Sequence, residues 1–163
     1  MRKVEIYKIS WYPILVFMFS GMVILFILFW DVQGIPEHPF VFIIGLILSF
    51  VILGYSFYLW RKRKQGKGFS WDDKGIVIDL KGNKVYWEEI EDIKFYKSSV
   101  TNMKSTVIYP HYTNHEKIRL RNKKLMPTPA HSIEWYLIEK PKEMHNHLMN
   151  TWEEKKPLGK NSN

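Results

Sequence analysis

The sequence predicts a membrane α-helical hairpin, made of two transmembrane helices, followed by a mainly-β domain that ends in a helix. Two apolar runs, Trp11–Trp30 and Phe40–Trp60, each hold 17 apolar residues and no ionisable residue. Short alternating runs between turn residues begin at residue 69, and one amphipathic segment follows them. The 163-residue chain is therefore not an ordinary soluble domain, although its mean hydropathy is only −0.23.

The two apolar runs have the length of transmembrane helices. At a rise of about 1.5 Å per residue, 20 residues cover about 30 Å, the thickness of the hydrocarbon core of a bilayer. Core helices of a soluble protein would instead carry a polar stripe. Gly45 and Ser49 on one run and Gly21 on the other predict close packing of the two helices, and a homo-oligomeric contact is left open. Aromatic residues typical of the membrane–water interface stand at the ends of the runs: Trp11, Tyr12, Trp30, Tyr55, Tyr58 and Trp60.

The flanking charges predict the orientation of the hairpin. The second run is followed by Arg61, Lys62, Arg63, Lys64 and Lys67, whereas the connecting segment carries Asp31 and Glu37 and no Lys or Arg. Basic flanks remain on the cytoplasmic side, so we expect a multi-pass protein of the cell membrane with both termini in the cytoplasm. The predicted segments are a cytoplasmic N-terminus (1–10), two spans (11–30 and 40–60), an external loop (31–39), a basic linker (61–68), the β domain (69–156) and a tail (157–163).

The cytoplasmic part is predicted to hold about seven short strands and one helix. A single polar helical turn is expected over 88–92, and a helix over 141–155 carries Met144, Leu148 and Trp152 on one face. This helix would plug the open end of a small barrel or roll. The strands are expected at 69–71, 76–80, 84–87, 93–100, 105–109, 117–121 and 132–138.

Two stretches of the β domain resemble bacterial pleckstrin-homology-like (PH-like) domains. They are Trp71-Asp-Asp-Lys-Gly-Ile-Val-Ile-Asp-Leu and Val85-Tyr-Trp-Glu-Glu-Ile-Glu-Asp-Ile-Lys94. In those proteins a D-x-x-G-I strand precedes a W-x-x-I-x-x-I segment, here Trp87, Ile90 and Ile93. Many of these largely uncharacterised proteins carry two transmembrane helices ahead of the domain. The resemblance implies a PH-like fold with Trp87 and Ile90 in its core, and it informs fold far more than function.

The sequence offers no recognisable catalytic or metal-binding pattern. The absence of cysteine excludes disulfides and thiolate chemistry. We interpret the six histidines as solvated or core residues, because His111 and His115 lie in a loop segment and His145 and His147 point in different directions on a helix. The acidic run over 88–92 is interpreted as a solvated turn. We therefore expect no enzyme, no cofactor and no metal site.

Two basic runs are candidates for binding. The membrane-flanking run, Arg61 to Lys67, is explained as a topology signal, and contact with anionic lipid headgroups is a second interpretation. The other run is interpreted as an exposed strand face, or as a surface for an acidic partner or the membrane; nucleic acid is not expected. Its members are Lys117, Arg119, Arg121, Lys123 and Lys124.

The predicted function is that of a two-pass membrane protein whose cytoplasmic PH-like domain is a non-enzymatic binding or scaffolding module. Its partners would be the lipid bilayer and an unknown protein. The alternative is an immunity-type or stress-protective membrane protein that acts through its hairpin.

Overall fold

The computed structural model describes residues 6–30 and 39–156. Residues 10–30 and 39–65 belong to one compact unit, and residues 6–9 and 66–156 belong to a second. Two long apolar helices precede a mainly-β region that ends in a helix, which confirms that part of the predicted fold class. The predicted tail and all but the last residue of the predicted external loop lie outside the described residues.

The first unit consists of helices α1 (Trp11–Trp30) and α2 (Pro39–Lys64), both long and apolar enough to cross a membrane. Only 17% of the apolar window of α1 and 11% of that of α2 are buried, in contrast to the core helices of a soluble protein. Helix α2 extends through Arg61–Lys64, four of the five basic residues that the sequence assigned to a linker, and Lys67 lies beyond its end. Lys and Arg are good helix formers, and their charge is favourable at a helix C-terminus. Gly66, with a φ of 68°, follows the end of the helix.

Small residues let the two helices approach closely, as predicted. The Ser49 hydroxyl donates to the carbonyl oxygen of Gly21 on the other helix over 2.9 Å. A Cβ atom at Gly21 would lie 2.6 Å from Cγ of Leu53, and one at Gly45 would lie 2.9 Å from Cδ2 of Leu28. Both glycines therefore occupy positions where a larger residue would force the helices apart.

The second unit contains seven strands in three antiparallel sheets, with the orders β1–β2, β3–β4 and β5–β6–β7. The unit also contains two helices, α3 (His115–Arg121) and α4 (Pro141–Lys155). Single 3₁₀ turns occupy Trp87–Glu89, Tyr112–Asn114 and Trp135–Leu137. The strands are β1 (Ile6–Lys8), β2 (Gly68–Ser70), β3 (Gly75–Val77), β4 (Lys84–Tyr86), β5 (Ile90–Lys97), β6 (Lys104–Pro110) and β7 (His131–Glu134).

The core of this unit forms where α4 covers the strands. The predicted apolar face of α4 is confirmed, because Met144, Leu148 and Trp152 are all buried. The Trp152 ring stacks on Trp87 with centroids 6.3 Å apart. Trp87 and Ile90 both belong to the core cluster, as the resemblance implied.

Strand β1, which lies in the segment that the sequence analysis assigned to the N-terminus without a predicted strand, is an integral part of the second unit. Tyr7 is paired with Phe69 on β2, and Ile9 forms a bridge to Ile138. The Tyr7 ring stacks on Trp71 at 5.4 Å. The residues before α1 and those after α2 therefore fold together.

The predicted strand over 117–121 is wrong, because these residues lie in α3. Five residues that alternate between charged and apolar side chains fit a strand, but only Ile118 is buried and Leu120 is exposed. Glu116 in the first turn and Arg119 in the last suit the helix dipole, and the two side chains form an ion pair at i,i+3 spacing. The last strand is also shorter than expected, since a 3₁₀ turn begins at Trp135.

Candidate docking surface

Helix α3 and the loop after it expose a mixed apolar and basic surface, which we call the 117–126 surface. Three large apolar side chains on it face solvent: Leu120 is 63% exposed, Leu125 97% and Met126 77%. Lys117 and Lys123 are exposed beside them. Exposed apolar side chains grouped in this way are typical of interaction sites.

The structure uses Arg121 internally rather than for a partner. Its guanidinium donates to both carboxylate oxygens of Glu89, Nη1 to Oε1 and Nη2 to Oε2, each over 2.6 Å. Nη2 also donates to the Lys84 carbonyl oxygen over 3.0 Å, and the guanidinium lies 4.0 Å from the centroid of the Tyr86 ring. Arg121 thus links the C-terminal end of α3 to the 3₁₀ turn before β5 through this ion pair.

Glu89 is the acidic partner in this pair, and it is only 1% exposed. The interpretation of the acidic run as a solvated turn is therefore wrong for this residue. Burial alone raises the pKa of Glu89, but the hydrogen bonds from Arg121 and from the Tyr86 backbone N–H together hold the pKa below its usual value. The carboxylate consequently remains charged in the folded protein.

Two further residues of the predicted basic run also make internal contacts. Arg119 Nε donates to the two carboxylate oxygens of Glu116 over 2.9 and 2.8 Å. Lys124 Nζ lies 3.4 Å from Oγ1 of Thr128 and 3.3 Å from Nδ1 of His131. Lys117 Nζ is 3.8 Å from Oε1 of Glu89, but most of its side chain is exposed.

Backbone hydrogen bonds close the turn that leads from α3 to Leu125 and Met126. The N–H of Lys123 donates to the Leu120 carbonyl oxygen over 3.2 Å, and that of Lys124 donates to the Arg119 carbonyl oxygen over 3.0 Å. Lys123 itself adopts a φ of 51°. These contacts order the residues immediately before Leu125 and Met126.

His131 lies beneath this loop and is buried. Burial, with a smaller contribution from nearby Lys124, lowers the pKa of His131 to about 4. The imidazole is therefore neutral at neutral pH and accepts a hydrogen bond from Lys124 at Nδ1.

The histidines do not converge on a metal-binding cluster. Among residues 6–30 and 39–156, no group of three or more His, Asp or Glu side chains could hold a metal ion. Four of the histidines have separate neighbours: His111 and Thr113, His115 and the Pro110 carbonyl, His145 and Thr106, and His147 and Tyr7.

A cavity of about 530 Å³ opens beside the turn that follows β4. Its charged residues include Lys155 and Asp73, whose Nζ and Oδ1 atoms are 3.2 Å apart. Its described lining includes no histidine, serine or threonine. The lining residues are Asp73, Lys74, Tyr86, Trp87, Glu88 and Lys155.

The membrane-flanking basic residues lie beside the predicted interfacial aromatics of the helical unit. Arg61 to Lys64 form the last turn of α2. Lys62, Arg63 and Lys64 each stand over an aromatic ring in a cation–π contact. The charged group lies 5.3 Å from the ring centroid for Lys62 over Tyr58, 4.8 Å for Arg63 over Trp11 and 5.6 Å for Lys64 over Trp60. The remaining predicted aromatics, Tyr12, Trp30 and Tyr55, are exposed.

Comparison of the chain with protein-family models, with curated proteins and with solved structures finds no match.

Proposed function

We propose that this chain is a two-pass protein of the cell membrane whose cytoplasmic domain is a non-enzymatic protein-binding module. The observation that carries the proposal is the 117–126 surface, where Leu120, Leu125 and Met126 are exposed on α3 and the loop after it. Burial of such apolar side chains against a protein partner makes binding more favourable.

The pairing of β1 with β2 supports the hairpin topology. Strand β1 ends three residues before α1 begins, and β2 begins four residues after α2 ends. On this proposal the pairing of these strands keeps both ends of the hairpin on one side of the membrane. The basic end of α2 favours the cytoplasmic side.

The core of the second unit supports a PH-like fold. Trp87, Ile90 and Ile93 of the quoted motif are buried together, and they pack with the C-terminal helix. Antiparallel strands closed by one terminal helix agree with the resemblance. On this proposal the fold is a scaffold, and the working part is the surface that α3 and its loop add to it.

The chemistry of the surface identifies the kind of partner. Arg119, Arg121 and Lys124 already contact groups within the domain, and Lys117 Nζ lies 3.8 Å from Glu89 Oε1 although its side chain is 60% exposed. On this proposal the exposed side chains of Lys117 and Lys123 supply the charge at the rim. An apolar centre with a basic rim is complementary to an apolar cleft with acidic residues at its edge.

Site-directed photo-crosslinking in the cells that naturally make the protein tests this proposal. A photoreactive phenylalanine analogue in place of Leu125 should yield one discrete adduct with an acidic protein, because the side chain is almost fully exposed. The same analogue in place of Lys81, an exposed residue in the turn between β3 and β4, is the matched control and should not yield this adduct.

Two second-site variants make the result specific. Adding Lys123→Glu should lower the adduct yield at least fivefold because it reverses the charge of the rim, whereas adding Lys81→Glu should leave it unchanged. An adduct that persists at full yield in the Lys123→Glu background, or no adduct at Leu125 in a correctly inserted chain, contradicts the proposed docking surface.

A further inference from the structure

The hairpin between β5 and β6 exposes a second group of apolar side chains, outside the 117–126 surface. Its loop spans residues 98–103. Val100 is 90% exposed at this loop, and Met103 and Tyr96 beside it are also exposed. We call residues 96–104 the hairpin tip.

The hairpin tip has a defined conformation. The Ser98 N–H donates to the Met103 carbonyl oxygen over 2.9 Å, and the Asn102 N–H donates to the Ser98 carbonyl oxygen over 3.0 Å. The Thr101 N–H donates to the Ser98 hydroxyl over 3.2 Å. Val100 is therefore presented to solvent by a closed loop, where it contributes little to the core.

The charge of the hairpin tip is entirely positive. Residues 93–105 contain lysines but no Asp or Glu. Lys97 and Lys104 are direct cross-strand partners at the base of the loop. Like charges at facing positions of an antiparallel pair are destabilising. Lys104 Nζ lies 5.9 Å from the centroid of the Trp135 ring, and an anion bound near both lysines would further relieve their repulsion.

We propose that the hairpin tip inserts into the interface of a bilayer that contains anionic phospholipids. Val100 and Met103 would enter the boundary between headgroups and acyl chains, and Lys97 and Lys104 would contact the phosphates. The proposal rests on the membrane anchoring in the proposed function, but it does not depend on a partner at the 117–126 surface.

The length of the connectors favours a bilayer over other occupants. Only residues 9 and 10 separate β1 from α1, and only residues 65–67 separate α2 from β2. A fully extended three-residue connector reaches only about 10 Å. A domain tethered twice in this way stays close to any bilayer that the hairpin crosses, so anionic lipid is present at a high local concentration.

The absence of cysteine makes a depth measurement direct. The full chain carrying Val100→Cys, labelled with the environment-sensitive fluorophore NBD, would be purified and reconstituted into phosphatidylcholine vesicles with and without 30% phosphatidylglycerol. Lys81→Cys with the same label is the matched control at an exposed turn. Spin-labelled lipids that quench NBD at a known depth would be added to both.

The expected result is a blue-shifted emission at position 100 that spin-labelled lipids quench at least twice as strongly as at position 81. Quenching should be stronger with phosphatidylglycerol, and Lys97→Gln with Lys104→Gln should remove that dependence. Equal emission and quenching at positions 100 and 81 in anionic vesicles would overturn the proposal. A blue shift without lipid quenching would also overturn it, because it would place the tip against protein.

Discussion

Arg121 and Glu89 lie 32 positions apart in the sequence and form a two-point ion pair in which the carboxylate is only 1% exposed. The pair joins α3 to the turn before β5, and therefore holds the 117–126 surface in place. Removing one partner of a buried ion pair leaves the other charge buried and unpaired, which destabilises the fold. The stability of the domain should therefore be sensitive to substitution of either residue.

The first prediction concerns this ion pair. Arg121→Ala should lower the free energy of unfolding of the domain by about 3 kcal/mol, because it leaves Glu89 charged and buried without its main partner. Unfolding of the full chain in detergent, followed by tryptophan fluorescence in a denaturant titration, measures this change.

A control variant separates the ion pair from general loss of contacts. Arg119→Ala removes an exposed pair with Glu116 and should cost less than about 1 kcal/mol. The double variant Arg121→Met with Glu89→Met should recover part of the lost stability, since no charge remains buried. Equal losses for Arg121→Ala and Arg119→Ala would show that the pair with Glu89 has no special role.

The second prediction concerns strand β1. A chain that begins at residue 66 lacks Tyr7 and Ile9, two buried residues of the second unit. It should be poorly folded and rapidly digested by protease, whereas a fusion of residues 1–10 to 66–163 through a flexible linker should resist digestion. Limited proteolysis of both soluble chains provides the measurement, and equal resistance would contradict the role of β1.

The third prediction concerns the contact between the two helices. Gly21→Ala should destabilise the hairpin by about 1–2 kcal/mol relative to Gly54→Ala, because a Cβ at Gly21 overlaps Leu53 whereas one at Gly54 meets nothing within 4 Å. Both changes carry the same gain in helix propensity, so their difference isolates packing. Steric trapping or thermal unfolding in detergent measures it. Indistinguishable stabilities would mean that Leu53 moves aside without cost.

The fourth prediction concerns pH. The pKa of His131 is lowered from 6.5 to about 4, so the unfolded chain binds this proton more readily than the folded one. The neutral His131 side chain therefore makes its full contribution to the free energy of unfolding above pH 6.5. This contribution is lost as the pH falls towards 4, which lowers the free energy of unfolding by about 3 kcal/mol in total.

Denaturant titrations at several pH values between 7.5 and 4.5 measure how the free energy of unfolding depends on pH. His131→Gln should flatten this dependence, whereas His111→Gln, which changes a histidine whose ring Nδ1 hydrogen-bonds with Thr113 in its own turn, should not. A slope unaffected by His131→Gln would assign the pH dependence to other groups.

Local patterns in the sequence were sufficient for the long helices. The runs that form α1 and α4 carry their own signal, an uninterrupted apolar stretch in one and Met144, Leu148 and Trp152 at four-residue spacing in the other. Non-local pairing was not accessible in the same way. Strand β1 is only three residues long, and Phe69, which pairs with Tyr7 of this strand, lies about 60 positions further along the chain.

The candidate site was only partly predictable for the same reason. The sequence drew attention to the basic run, but it could not tell that Arg121 would reach Glu89, which also appeared to be a solvated acid. Nor did the five residues of 117–121 carry enough periodicity to distinguish a helix from a strand. A usable signal was present in Leu125 and Met126, because two large apolar residues between two lysines and a proline have no strand or helix to bury them.

The central claim is that the cytoplasmic domain, rather than the hairpin, recognises the partner. Exchange of residues 11–60 for an unrelated two-span hairpin, with the crosslinker at position 125, tests it most directly. The flanks that form β1 and β2 are retained, and protease resistance of the domain verifies that it is folded. We predict the same adduct at the same yield as in the natural chain. Loss of the adduct from a folded and inserted chimaera would contradict the claim and favour a protein that acts through its hairpin.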